Sequence, residues 1–343
     1  MKTLFAKTDI YMYQSLPKSA SKSLLFFVAL PVLFITSCIK IDNTVSSVEP
    51  ENAEMKQMLQ RQGGVKPNIV FILADDVGYE IPSYAGGTSY KTPHIDRLAK
   101  EGMQFTECHA APNCTPSRVM LMTGKYNFRN YTGWRVLDTS QYTFANLLKD
   151  EGYQTLIAGK WQLDGGKAAM EKFGFKKQRV FDPLNTIDEN DANQFRYKNP
   201  HLYQNGMFMP DTASRSYYSE DLFVSYITNF IDDNADKPFF IYYPLSLCHT
   251  PFSPTPDDPD YEAWSPWTGN SSKKYFPGMV AYMDKIVGQV VNKIEKAGLT
   301  NNTIIIFAGD NGTPNSIISN FNGIQIPGSK GQTIDYGIHV PLI

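Results

Sequence analysis

The stretch Asn68-Ile-Val-Phe-Ile-Leu-Ala74 carries, after its asparagine, an unbroken apolar run that ends in Asp75-Asp76. A run of this length without polar alternation reads as a strand buried on both faces, which requires helices above and below its sheet. Residues 155–158, 239–245 and 303–308 repeat the pattern. Between these runs, helical spacing covers residues 93–102, 116–123, 143–150, 219–234 and 275–297, with Gly102, Gly124, Gly152 and Gly298 as stops. Strands alternating with helices specify an α/β fold with a mostly parallel central sheet flanked by helices. Residues 103–109 read as a further strand, residues 252–272 as loop, and residues 167–215 as an irregular, aromatic insertion on the substrate side.

Open parallel sheets bind ligands beyond the carboxyl ends of their strands. Each run here releases polar groups at that end: Asp75 and Asp76, then Lys160 and Gln162, then His249, then Asp310 and Asn311. Four coincidences at one edge indicate one site. Asp75, Asp76, Asp310 and Asn311 are hard oxygen donors suited to Ca²⁺ or Mg²⁺, and no cysteine or histidine cluster has zinc spacing. In Cys114-Thr-Pro-Ser-Arg118, Pro116 suits the first turn of a helix and places Cys114 at its N-terminus, where free N–H groups favour negative charge. Arg118 offers a fork matched to a tetrahedral oxyanion, and Lys160, His249 and Lys330 add positive and proton-donating groups. Cys114 is thereby a nucleophile precursor in an anion pocket.

The balance of 32 Lys+Arg against 34 Asp+Glu gives no basic excess for nucleic acid. Four cysteines, Cys38, Cys108, Cys114 and Cys248, are too few for a disulfide scaffold in 343 residues. Lys18 and Lys22 precede an apolar run at 24–35 and the small residues Thr36 and Ser37, which together describe a secretory signal over residues 1–38, too short for a membrane span. Residues 39–66 are a polar tether with a short helix around 53–62, leaving residues 67–343 as the catalytic domain.

Cys-x-Pro-Ser-Arg in company with the Asp-Asp strand is highly specific. With the stretches 68–78, 92–102, 114–124, 159–163, 249–251, 306–312 and 328–341, the chain resembles a type I sulfatase of the alkaline-phosphatase-like superfamily. The resemblance implies that a formylglycine-generating enzyme oxidises Cys114 to formylglycine, whose hydrate attacks the sulfur of a sulfate ester. It assigns a Ca²⁺ to Asp75, Asp76, Asp310, Asn311 and the modified Cys114. Arg118 would stabilise the modified residue, Lys160 and Lys330 would bind sulfate, and His249 would assist the leaving group. Gln162 stands where the family often has histidine, and can hydrogen-bond sulfate without taking a proton; His339 stands where an arginine is usual. Residues 35–38 resemble a bacterial lipoprotein box, so Cys38 would carry lipid. The implied protein is exported, periplasmic or anchored to the outer membrane of a Gram-negative bacterium by lipid alone, and acts on a sulfated glycan. Relatives continue past the position of Ile343, so the chain reads as truncated at its C-terminal part. The alternatives are a phosphodiesterase or phosphonate hydrolase of the same superfamily, and an inactive lipoprotein that binds sulfated glycans.

Overall fold

In the computed structural model, which describes residues 65–163, 165–181 and 196–343, the run Asn68–Ala74 is strand β1. It lies between β6 (Phe239–Pro244) and β7 (Thr303–Gly309), parallel to both. Next to β6 comes β2 (Gln154–Lys160), then β3 (Lys177–Phe181), again parallel. Two short antiparallel strands, β4 (Leu202–Gln204) and β5 (Met207–Phe208), complete the order β5-β4-β3-β2-β6-β1-β7. Every residue of β6 is buried, as its unbroken apolar run requires.

Side chains alternate across the sheet and build two cores. Val70 and Ile72 face one side, where they join Phe223 and Ile227 of α6 (Ser219–Asp233) and Met283 and Ile286 of α7 (Phe276–Lys296). Leu73, Ile157 and Tyr242 face the other, packed with Val119 of α2 (Cys114–Thr123), Ala145 of α3 (Phe144–Asp150) and Met170 of α4 (Gly166–Lys172). Each large side chain fully buried in this way contributes about 1.5–3 kcal/mol. The predicted α/β fold, with its mostly parallel sheet between helical layers, is the observed one.

The differences are local. Residues 103–109 follow α1 (Pro93–Glu101) without forming a strand; only isolated bridges join Phe105 to Leu342 and His109 to His339. The segment 167–215 is less irregular than its composition indicates: its described part supplies α4, β3, β4, β5 and the short α5 (Asp211–Ser214). These strands are short and build the end of the sheet, β5 at its edge with β4 and β3 inside it, and they carry mixed residues instead of an apolar run. Strand β2 runs two residues beyond Ala158, so Gly159 and Lys160 belong to it. A hairpin of β8 (Ile318–Phe321) and β9 (Ile324–Pro327) turns at Asn322-Gly323, whose φ values of 48° and 82° suit a type I′ turn. Past α8 (Asp335–Ile338), residues 341–343 run antiparallel along β7, with Phe307 and Ile343 exchanging backbone hydrogen bonds. Cys108, Cys114 and Cys248 are free thiols. The signal, the Cys38 box and the helix expected around 53–62 lie outside the described residues, among which no helix is long and apolar enough to cross a membrane.

Candidate active site

The register Ala74↔Gly309 puts the ends of β1 and β7 side by side. Asp75, Asp76, Asp310 and Asn311, all buried, therefore meet beyond the sheet. Asp76 adopts a left-handed φ of 62°, a conformation that Asp tolerates better than most residues. Its N–H donates to Asp310 Oδ1 (3.1 Å), and Asn311 Nδ2 donates to Asp76 Oδ1 (2.8 Å). Beyond β6, the N–H of Asp75 bonds the Leu247 carbonyl and the N–H of Cys248 bonds the Asp75 carbonyl, which brings His249 to the same place.

Cations surround these oxygens. Lys160 Nζ, at the end of β2, lies 2.6 Å from Asp75 Oδ2. The approach depends on Gly159: its φ is 126°, and a Cβ there would sit 2.0 Å from the Pro244 carbonyl oxygen. Arg118 Nε and Nη2 both donate to Asp310 Oδ2, at 3.0 and 2.8 Å. Lys330 Nζ lies 2.6 and 2.7 Å from the two oxygens of Asp76. Arg196 Nη1 adds a contact of 3.5 Å to Asp75 Oδ2. Three carboxylates thus face four cationic side chains, before any divalent cation is counted.

Burial dominates the titration of these groups, and neighbours decide its outcome. For Asp75, burial raises the carboxyl's proton affinity, but Lys160, His249, Arg118 and Lys330 overturn that and hold it far below the usual range. For Asp76, burial and the Asp75 charge raise it, against Lys330 and Lys160. Asp310 is pushed up to about 6 by burial, opposed by Arg118 and reinforced by Asp75. His249 is driven well below its ordinary range by burial, then by Arg196 and Lys160. Its Nδ1 lies 2.6 Å from the Thr250 carbonyl, which can only accept, so Nδ1 carries the proton. The Nε2 lone pair then faces the site, 3.9 Å from Asp76 Oδ2.

Asp75 Oδ1 and Asn311 Oδ1 are buried and accept no hydrogen bond. Orphaned buried oxygens are costly unless a cation completes them. Asp75, Asp76, Asp310 and Asn311 therefore fit a hard divalent ion, with His249 Nε2 near enough to share such a site.

Cys114 is the first residue of α2, two positions earlier than Pro116, and is buried. It lies within electrostatic reach of both Arg118 and Lys330. Gln162 follows β2 with a left-handed φ of 44° and, among the described residues, forms no hydrogen bond to the cluster. The sequence reading missed Arg196 and Tyr197. The Tyr197 hydroxyl lies 2.7 and 2.6 Å from the Ser246 and His249 carbonyls, shares its one proton between them and so holds the His249 segment. Arg196 lies 121 residues from Asp75 in a segment without periodicity, so no local signal marks it.

The family model "Sulfatase" matches residues 67–343. N-acetylgalactosamine-6-O-sulfatase of Bacteroides thetaiotaomicron is 30% identical over 315 residues, covering 73% of this chain and 60% of the relative. Ulvan-active sulfatase of Formosa agariphila is 28% identical, covering 84% and 58%. The chain thus spans about six tenths of the length of these relatives. The crystal structure of Ps i-CgsB superposes with a TM-score of 0.65 at 31% identity, covering 81% of this chain and 65% of that one. A phosphonate monoester hydrolase of Agrobacterium radiobacter, 19% identical with a TM-score of 0.56, shares the fold. With the match running through every strand of the sheet and every group gathered at its edge, the chain belongs to the sulfatase family and has the alkaline-phosphatase-like fold.

Proposed function

We propose that the protein hydrolyses sulfate esters of carbohydrates, with Cys114 converted to formylglycine as the nucleophilic residue. One observation carries the reading: Cys114 opens a helix beside a buried centre in which Asp75, Asp76, Asp310 and Asn311 are interleaved with Arg118, Lys160, Lys330 and His249. Formylglycine, made by a formylglycine-generating enzyme, would supply an oxygen nucleophile as its hydrate. Ca²⁺ held by the four oxygen donors would supply positive charge that polarises the ester; Mg²⁺ is the other hard ion of the right type.

The chain's own groups account for binding and proton transfer. Lys160 and Lys330 offer ammonium groups to sulfate oxygens, and each must loosen its grip on Asp75 or Asp76 to do so. Arg118, fixed on Asp310, keeps the N-terminal turn of α2 electropositive. His249 is neutral at rest; the negative charge of a bound ester favours its imidazolium, and Nε2 then delivers a proton to the departing alcohol oxygen. Gln162, which cannot relay a proton, is left to donate a hydrogen bond to sulfate, and water takes the proton when sulfate is expelled.

The substrate class rests on the relatives: one is named for N-acetylgalactosamine-6-O-sulfate, another for ulvan, and Ps i-CgsB was crystallised with k-i-k-neocarrahexaose. Export and lipid anchoring through Cys38 rest on residues 18–38 alone; labelling with radioactive palmitate in a Gram-negative host, lost in Cys38→Ala, is the expected result. For the activity, the chain is co-expressed with a formylglycine-generating enzyme and the Cys114 peptide is weighed. We expect an aldehyde in place of the thiol, and sulfate release from sulfated mono- and oligosaccharides that Cys114→Ala lacks. An intact thiol, or equal release by both proteins, refutes the proposal.

A further inference from the structure

Away from the acidic centre, three side chains converge that sulfate hydrolysis does not require: His109, Asp335 and His339. Their ligand atoms all lie within 4.8 Å of one another. His109 Nε2 is 3.5 Å from Asp335 Oδ1, and His339 Nδ1 is 3.7 Å from Asp335 Oδ2. The backbone fixes this arrangement in two ways. Asp335 opens α8 and His339 caps it, so the two share a helical face at i,i+4. His109 and His339 are opposed in an antiparallel bridge, flanked by hydrogen bonds from Ala110 N to the Ile338 carbonyl and from Val340 N to the Cys108 carbonyl.

The histidine rings are also oriented. His339 Nε2 lies 2.9 Å from the Thr106 carbonyl, which can only accept, so Nε2 holds the proton and Nδ1 turns its lone pair toward Asp335. Tyr79 stacks on the same ring at 4.1 Å, and the His109 ring stacks beside it at 5.1 Å. An imidazole whose second nitrogen donates to a carbonyl is the usual support of a metal-bound histidine. Separations of 3.5 and 3.7 Å are long for hydrogen bonds. One imidazole nitrogen faces each Asp335 oxygen, each at a separation near the roughly 3.3 Å between two ligands that stand about 2.0–2.1 Å from one tetrahedral ion.

We propose that His109, Asp335 and His339 form a second metal site, specific for a transition-metal dication of the Zn²⁺ type. Two imidazoles and one carboxylate are a borderline donor set that prefers Zn²⁺, Ni²⁺ or Cu²⁺ to Ca²⁺, whereas the acidic centre offers mainly oxygen. The side chains of His109 and Asp335 are 41% and 60% exposed, which leaves a coordination position open to water or an external ligand. The site clips the segment that leads into Cys114 to the one that follows Lys330; bound metal therefore stiffens two walls of the acidic centre without touching its ligands.

The test is calorimetric titration of Zn²⁺ into the full chain, held in excess Ca²⁺ so that the acidic centre is filled. One Zn²⁺ per chain is expected, with binding weakened about tenfold or more in His109→Gln and in His339→Gln. Co²⁺ should give the visible absorption of a tetrahedral, nitrogen-ligated ion, lost in both variants. Melting without Zn²⁺ verifies that the exposed His109→Gln variant is folded. Unchanged Zn²⁺ affinity in the folded His109→Gln chain, or no Zn²⁺ binding by the parent, reduces the cluster to a surface ion pair and overturns the proposal.

Discussion

His249 is the residue on which the chemistry turns, because burial leaves it neutral while its proposed task needs a proton. With Nδ1 committed to the Thr250 carbonyl, only Nε2 can serve the departing oxygen. The need for that proton depends on the leaving group: an aryl oxide departs unaided, a sugar alkoxide does not. His249→Gln should therefore lower kcat/KM for sugar sulfates by about 10²–10⁴ and for 4-nitrophenyl sulfate by far less. Sulfate release measured on both substrates checks this; equal losses would assign His249 to binding instead. Residues of this kind were legible in the sequence because each follows a buried strand, which places it at a known edge. Arg196 and Tyr197 were not, because their positions come from the fold of the segment around them and from no pattern in their neighbours.

At the scale of elements, buried carboxylates do structural work between helices. Helix α1 has no cap from its own Thr92 side chain. Asp284 of α7 supplies it instead, accepting from the His94 and Ile95 N–H groups at 3.1 and 2.8 Å. Asp284→Ala should cost about 1–3 kcal/mol in denaturant unfolding, since two N–H groups lose a charged acceptor at a helix N-terminus. Glu220, in the first turn of α6, accepts from the Tyr243 hydroxyl and from Ser246 N (2.9 Å). Burial pushes its carboxyl up to about 7, against those hydrogen bonds. The folded chain thus keeps this proton at pH values where the unfolded chain has lost it, so stability falls as pH rises from about 4.5 to about 7, by roughly 3 kcal/mol. Glu220→Gln should flatten that part of the unfolding profile; a profile parallel to the parent's counts against the assignment. Strands β1, β6 and β7 could be read from their apolar runs, whereas β3–β5 could not, because they are only two to five residues long and mix polar with apolar residues. The β8–β9 turn carried a readable Asn-Gly signal that the irregular surroundings obscured.

Across the whole molecule, parallel strands deliver carboxylates from β1 and β7 and cations from β2 to one edge, so the acidic centre is a product of topology before it is a product of any residue. The same convergence makes it expensive: Asp75, Asp76 and Asp310 lie together out of water, and Asp75 Oδ1 and Asn311 Oδ1 accept no hydrogen bond. Lys160, Arg118 and Lys330 offset this only in part, since burial still raises Asp76 and Asp310. A divalent cation that binds the folded centre and not the unfolded chain adds stability by mass action, about 2.7 kcal/mol at a hundred times its Kd. For a folded unit of this size that corresponds to a Tm rise of about 5 °C. Protein stripped with EDTA should melt that much lower than protein in saturating Ca²⁺, with Mg²⁺ restoring less because it gives up its water reluctantly. Asp310→Asn should abolish the Ca²⁺-dependent rise. It should leave the melting of stripped protein lower than the parent's by far less than loss of the ion does, because an amide at that position can still accept from Arg118 and relieves the crowding of three buried carboxylates. A Tm indifferent to millimolar Ca²⁺ in the parent would remove the acidic centre's claim to a hard cation and leave its charges balanced by lysine and arginine alone.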